Sequence, residues 1–205
     1  MAFDENTNFA VGRVITGFSK PYVARYTNEN GTNIYSDARR LARGVDVEVT
    51  PDDAGDDNVF YADNAAAETQ AGRFTGGSLK LTVDGLFLAS ERMINGLPEA
   101  GQDGWTGDGD ASSSPNIATG YVVEWMSNGV TGYTPFLIPK VKYAKIGQAA
   151  KTREGDEIDW QTTELNARIM RDDTTEHNWR YIGADFPTEA EAEAALKTKL
   201  GIPAA

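Results

Sequence analysis

The sequence predicts a mainly β domain, a sandwich or barrel-like fold with one short packed helix and a C-terminal helix, and three observations carry that expectation. Alternation with a period of two is clean in two segments: Val45, Val47 and Val49 against Asp46, Glu48 and Thr50, then Leu79, Leu81 and Val83 against Ser78, Lys80 and Thr82. Turn residues are frequent, with 21 glycines and 8 prolines in 205 residues, as many short strands require. The aromatic-rich stretch 121–170 consists of two extended segments joined by the polar run 148–156. A chain of this length buries a sizeable core as one domain.

In order along the chain, residues 1–8 are small and polar apart from Phe3 and read as an N-terminal arm that orders only against a neighbour. A β domain follows over 9–186. Residues 9–17 and 22–27 read as a first strand pair, and Asn30-Gly31 makes a turn before Asn33, Ile34 and Tyr35. The Val45 segment is a half-buried strand. Residues 51–57 are too rich in aspartate to continue it, so an excursion over about 51–77 is expected, with extended structure resuming at 59–61. After the Leu79 strand, Leu86, Ala89 and Met93 recur at helical spacing beside Phe87 and Ile94, and Gly96 is placed to end a short helix. Residues 99–116 form a glycine, serine and aspartate loop around a lone Trp105, a candidate contact loop. Strands at 117–126, 133–146, 158–170 and 177–182 complete the domain, with turns at 127–129 and 171–173. In 187–205, Thr188 with Glu191 three residues on is a capping box, and strong helix formers run from Ala190 to Leu200 before Gly201.

Composition narrows the function. The 31 acidic residues against 19 basic ones leave a net charge of −12, which disfavours ordinary nucleic-acid binding, because that needs cations where counterions sat. There is no cysteine, so disulfides and thiolate metal sites are excluded, and assembly in a reducing cytoplasm is the expectation. Asp4 and Glu5 stand where a signal peptide carries basic residues, and no apolar run is long enough for a bilayer, so the protein is expected to be unprocessed and soluble.

No residue pattern calls for catalysis. His177 is the single histidine, set in an acidic turn beside Asp172, Asp173 and Glu176, and Ser112-Ser113-Ser114 lacks the strained setting of a nucleophile. Asp52, Asp53, Asp56 and Asp57, or Asp103, Asp108 and Asp110, lack the spacing of a calcium loop and read as solvated turns. Asp156 and Asp159 as a hydrolase pair would need a cleft between them, which closeness in sequence does not supply. Tyr121, Trp125, Tyr133, Trp160, Trp179 and Tyr181 suit a sugar-stacking platform, but aromatic residues in strands more commonly fill cores or interfaces. The glycines at 76–77 and 104–109 lack the lysine and the strand-to-helix setting of a phosphate cradle. No catalytic residue, metal ligand or cofactor is assigned.

Val45-Asp46-Val47-Glu48-Val49, Tyr61-Ala62-Asp63-Asn64 and Leu79-Lys80-Leu81-Thr82-Val83 before a short helix are followed by the closing elements Tyr121-Val122-Val123-Glu124-Trp125, Tyr143-Ala144-Lys145-Ile146, Lys151-Thr152-Arg153 and Asp159-Trp160-Gln161-Thr162-Thr163-Glu164-Leu165. In that order the chain resembles the major tail proteins of long-tailed bacteriophages, specifically the phi13-type group, over about residues 40–185. The resemblance implies a β-sandwich tail-tube protomer in the virion. Six copies would close a ring, and rings would stack into the tube through which DNA is ejected. Its implied partners are further copies of itself, with tape-measure, tail terminator and distal tail proteins. DNA would pass without specific binding, which suits an acidic wall, since a basic one would hold it by counterion release.

The candidate subunit contacts are Phe3 in the arm, Asp52, Asp53, Asp56 and Asp57 in the excursion, and Trp160, Glu164 and Met170 in the strand 158–170. That strand has mixed residues on both faces and is expected to pair with a neighbouring copy. The alternatives are a carbohydrate-binding or adhesin-like sandwich using Trp105, Trp125 or Trp179, and a related tail terminator or joining protein.

Overall fold

The computed structural model describes residues 12–53, 58–62, 65–70, 74–110, 112–148, 150, 152 and 161–203. Their elements in chain order are β1 (Val14–Glu29), β2 (Thr32–Arg40), β3 (Gly44–Asp53), β4 (Asn58–Ala62), β5 (Ala65–Gln70), β6 (Phe74–Val83), α1 (Leu88–Asn95), β7 (Ile117–Ser127), β8 (Val130–Tyr143), β9 (Thr163–Ile169), β10 (Tyr181–Ile182) and α2 (Glu189–Lys199). The fold is mainly β. Eight strands form one antiparallel sheet in the order β2-β1-β7-β8-β9-β6-β3, with β10 paired to β8, while β4 and β5 make a separate hairpin.

The sheet curls until its outer members approach each other. Phe18 of β1 lies directly on Gly44 at the start of β3, where a side chain on the glycine would overlap its ring. Inside the curl, alternate residues of every long strand meet: Val23, Leu79, Leu81, Tyr121, Ile138, Val141, Leu165 and Ile169, closed at one end by Met93 and Ile94 of α1. Alternation explains this. On β6, Leu79, Leu81 and Val83 are buried while Ser78 is exposed, and on β9 Leu165, Ala167 and Ile169 are buried while Glu164, Asn166 and Arg168 are exposed.

A second, smaller core lies on the outside of the curl. Ala192, Leu196 and Leu200, spaced at four residues, bury one face of α2 against Tyr22 and Ala24 of β1, Ala118 and Val122 of β7, and Leu137 of β8. Gly120 makes the seat: a Cβ there would stand 2.6 Å from Leu196 Cδ1. The helix starts as its sequence dictates, with the Thr188 hydroxyl oxygen accepting the Glu191 N–H and the hydroxyl donating to the Glu191 carboxylate. Tyr22 then donates to Glu193 at 2.6 Å, and Lys20 lies 3.2 Å from the same carboxylate.

Several local expectations are corrected by this architecture. Residues 14–29 form one continuous strand rather than a hairpin, with irregularities after Ile15 and Ser19 absorbing the weak alternation. β3 runs on through Pro51 to Asp53, because a terminal strand tolerates a proline that a central one would not. Val45 is 55% exposed at a register shift, so it leaves the face that Val47 and Val49 share. In α1, Ser90 rather than Ala89 joins Met93 and Ile94 in the interior. Only Tyr181 and Ile182 of the segment 177–182 are strand, and His177 takes a left-handed φ of 54°. The turns at Asn30-Gly31 and Asn128-Gly129 are as the sequence reads, with positive φ at all four residues.

Because β9 is an inner strand with one buried and one exposed face, Leu165→Ala is expected to destabilise the fold by about 2–5 kcal/mol. Asn166→Ala next to it should shift stability by no more than about 0.5 kcal/mol. Urea unfolding of the two variants separates these outcomes.

Candidate assembly surfaces

A sheet that curls without closing leaves unpaired strand edges, and here they are the features through which the chain can meet a partner. Among the described residues β2 pairs only with β1, and β3 only with β6. β1 adds a third open stretch, since β2 covers it from Tyr22 onward and Val14–Ser19 pair on one side only, with β7. Such edges carry free N–H and C=O groups that water or another chain must satisfy.

The two terminal edges differ in how they are guarded. β2 is bulged between Ser36 and Arg39, opposite Val23 and Arg25 of β1, where Asp37 is left-handed and forms an ion pair with Arg25 at 3.2 Å. Twist and charge of this kind discourage casual pairing. β2 is also tied to its own chain by a polar cluster. Asp172, 1% exposed, accepts from Asn33 at 2.8 Å, from Tyr181 at 2.6 Å and from the Thr174 hydroxyl at 2.7 Å. Next to it Asp173 takes the Tyr26 hydroxyl at 3.0 Å and Lys140 at 2.7 Å. Burial by itself would raise the Asp172 carboxyl, but the hydrogen bonds from Tyr181, Thr174 and Asn33 outweigh it and hold it below the usual carboxylate range.

The outward face of β3, β6 and β9 is polar and bears no helix. Register places Glu48 beside Lys80 and Asn166, and Thr50 beside Ser78 and Arg168. Lys80 bridges to Glu164 at 3.0 Å, and Arg168 approaches Asp52 at 3.8 Å. Acids and bases alternate across the strands, so this face is wet and close to balanced in charge.

Of the residues the sequence singled out, Asp52 is exposed at the end of β3 and Glu164 is exposed on β9. Asp53 closes the β3 ladder opposite Phe74. Met170 is half-buried, its N–H donating to the Lys140 carbonyl at 2.9 Å. Phe3, Asp56, Asp57 and Trp160, and the pair Asp156 and Asp159, lie outside the described residues. The expectation of a free edge on β9 is narrowed: its own chain supplies β6 along its length and β8 opposite Ala167–Ile169, and among the described residues Thr163–Leu165 pair on one side only. The mixed faces read for that strand resolve into strict alternation once it begins at Thr163. The free edge on β3 carries no sequence mark of its own beyond Pro51.

The aromatic residues disperse rather than form a platform. Trp125 is 4% exposed with its indole N–H on Thr134, Tyr121 is buried, and Trp179 stacks on Phe74 at 4.7 Å. Trp105 alone of the four tryptophans' described members is widely exposed, at 80%. In its loop Asp103 accepts the Trp105 N–H, and Asp108 pairs with Lys145 at 2.7 Å. His177 is exposed, with Nδ1 3.4 Å from the Asp172 carbonyl oxygen. No helix among the described residues is long and apolar enough to cross a membrane. No protein-family model matches the chain, and no curated protein matches it.

The depressed Asp172 carboxyl gives a pH signature. A group whose pKa is lower in the folded state stabilises above its unfolded pKa, and that contribution is lost as pH falls through the folded value. Stability of the wild type should therefore fall as the pH is taken from about 5 to about 3, and Asp172→Asn should flatten that slope. Melting temperatures across this range test it, a parallel fall in both proteins being the adverse result.

Proposed function

We propose that the chain is a non-enzymatic structural subunit that closes into rings, six copies to a ring, and stacks them into the tail tube of a long-tailed phage. The observation that carries this reading is the pair of unfinished ladders, β2 and β3, at the two ends of one curled sheet. A protomer with one free edge at each end can pair edge to edge with a copy on either side. That is a heterologous contact, and it closes into a ring when the rotation per subunit divides a full turn. Ring closure removes the edges altogether, as it does in a barrel.

The uncovered face of β3, β6 and β9 fits the lining of such a ring. It extends inward from the β3 edge and carries Asp46, Glu48, Asp52 and Glu164 against Lys80, Lys142 and Arg168. A lining without net positive charge would not trap a DNA duplex by counterion release, so a duplex would slide through it. The net charge of −12 opposes association between free subunits at low salt and is screened at higher salt. The resemblance of the segments from Val45 to Leu165 to tail proteins supports the specific class, and a tail terminator or joining protein would use the same edges once rather than repeatedly. Tape-measure, terminator and distal tail proteins are the partners that this reading brings, and the virion is its location.

Negative-stain electron microscopy and light scattering test the proposal. Purified protein at about 0.5 M salt, where the screening length is a few ångströms, should form rings or tubes around a central hole, and less so at about 0.01 M. A strictly monomeric protein across concentration and salt would refute it.

A further inference from the structure

An unfilled recess and an exposed aromatic knob stand at the two ends of α1. The recess lies where β2 ends and β3 begins, just before the helix starts. Leu41, Ala42 and Leu86 form the floor, and Arg40, Arg43 and Phe87 the exposed rim, of a shallow hollow of about 600 Å³. Phe87 is 76% exposed and Leu88 beside it 59%. The charge here is unlike that of the molecule as a whole. Residues 39–43 and 84–88 carry three arginines against one aspartate, in a chain of net charge −12. Arg43 pairs with Asp84, but no carboxylate among the described residues pairs with Arg40. Arg92, four residues after Leu88 and so on the same face of α1, has its Nε buried with no hydrogen-bond partner among the described residues. Exposed apolar groups bordered by guanidinium groups suit an aromatic partner that brings negative charge.

The chain carries such a segment beyond the other end of α1. Residues 99–110 hold Glu99, Asp103, Asp108 and Asp110 around Trp105, with no basic residue among them. Trp105 is 80% exposed, although its loop is braced. Asp103 accepts the Trp105 N–H at 3.2 Å, the Gly101 N–H donates to the Trp105 carbonyl at 2.9 Å, and Asp108 pairs with Lys145 at 2.7 Å. A large aromatic side chain held out from a braced loop loses little freedom when it docks. Eight helical residues span about 12 Å, so knob and recess share one end of the curl, and the chain leaves its own recess unfilled.

Resting on the reading of the chain as a ring-forming subunit, we infer that Trp105 of one copy docks in the recess of the next, its indole against Leu86 and Phe87 and the carboxylates of its loop facing Arg40 and Arg92. The contact is heterologous, because each copy gives one knob and offers one recess, so it runs in a single direction around a ring. It accounts together for three large apolar side chains, Trp105, Phe87 and Leu88, that the protomer leaves in water. It also supplies a local attraction between copies whose net charge repels at longer range.

Charge reversal on each side tests the pairing. Arg40→Glu reverses the recess, and Glu99→Arg with Asp110→Arg reverses the loop, all at exposed positions, so both variants should keep the wild-type melting temperature. Where the wild type forms rings, light scattering should show that each variant alone needs several-fold more protein to assemble, and that Trp105→Ala needs on the order of tenfold more. An equimolar mixture of the two charge variants should assemble near the wild-type concentration. In the mixture the reversed recess meets the reversed loop, the remaining recess and loop are native, and a ring of six alternates the two chains. Unchanged assembly by Trp105→Ala overturns the inference, and so does a mixture no better than its separate components. Either result, with the wild type still forming rings, leaves the ring reading standing, whereas a wild type that never self-associates removes both.

Discussion

Backbone amides and carbonyls taken out of water must be paired, and in this protein the ladder that runs through β1, β7, β8, β9 and β6 is what meets that demand. The pairing of β7 with β8, from Thr119 opposite Ile138 to Ser127 opposite Val130, is its longest uninterrupted run and fixes the register of everything attached to it. Slipping that register by one residue would turn Tyr121, Ile138 and Val141 out of the core. The same ladder explains the two cores. Alternate side chains on one set of strands serve the inside of the curl, and on β1, β7 and β8 the opposite set serves α2, which is why Val23 and Tyr22, neighbours in sequence, belong to different clusters.

The ladder is saturated in the middle and open at its ends, so the parts of the molecule available to partners are those where pairing stops. Guarding is uneven. β2 is bulged, charged and tied down by the buried Asp172, which draws Asn33, Thr174 and Tyr181 into one satisfied cluster. A buried carboxylate is tolerated there because its acceptor capacity is filled, and removal of any one donor would leave part of it uncompensated. β3 lacks such an anchor, and the cleft beside it exposes apolar side chains. An asymmetric pair of edges, one rigid and one accommodating, suits head-to-tail association, in which each subunit presents unlike surfaces to its two neighbours.

Charge acts at a longer range than any of these contacts. The sheet face formed by β3, β6 and β9 mixes acids with bases closely enough that Lys80 and Arg168 each find a carboxylate, so the strong acidity of the chain is not concentrated there. On the proposed reading an overall repulsion would keep free subunits apart at low salt, and a locally balanced face would give a lining without net positive charge.

Much of the fold was legible from residues alone wherever one local rule decided the outcome. The alternation in 79–83, the Asn-Gly turns, the Thr188 and Glu191 cap and the stop at Gly96 depend on contacts within a few residues, and each sits where the sequence places it. What the tertiary structure decided was position within the sheet. Whether a strand is inner or outer depends on which distant segments pair with it, and no periodicity records that. Hence Thr163–Ile169, whose wider segment read as an edge, proved to lie inside the sheet order with β8 paired to it at Ala167–Ile169, while Gly44–Asp53, read as an ordinary strand ending before its aspartates, proved to be a terminal strand. The apolar cleft beside Phe18 is likewise invisible in sequence, because its floor is assembled from residues more than a hundred positions apart that only the curl of the sheet brings together.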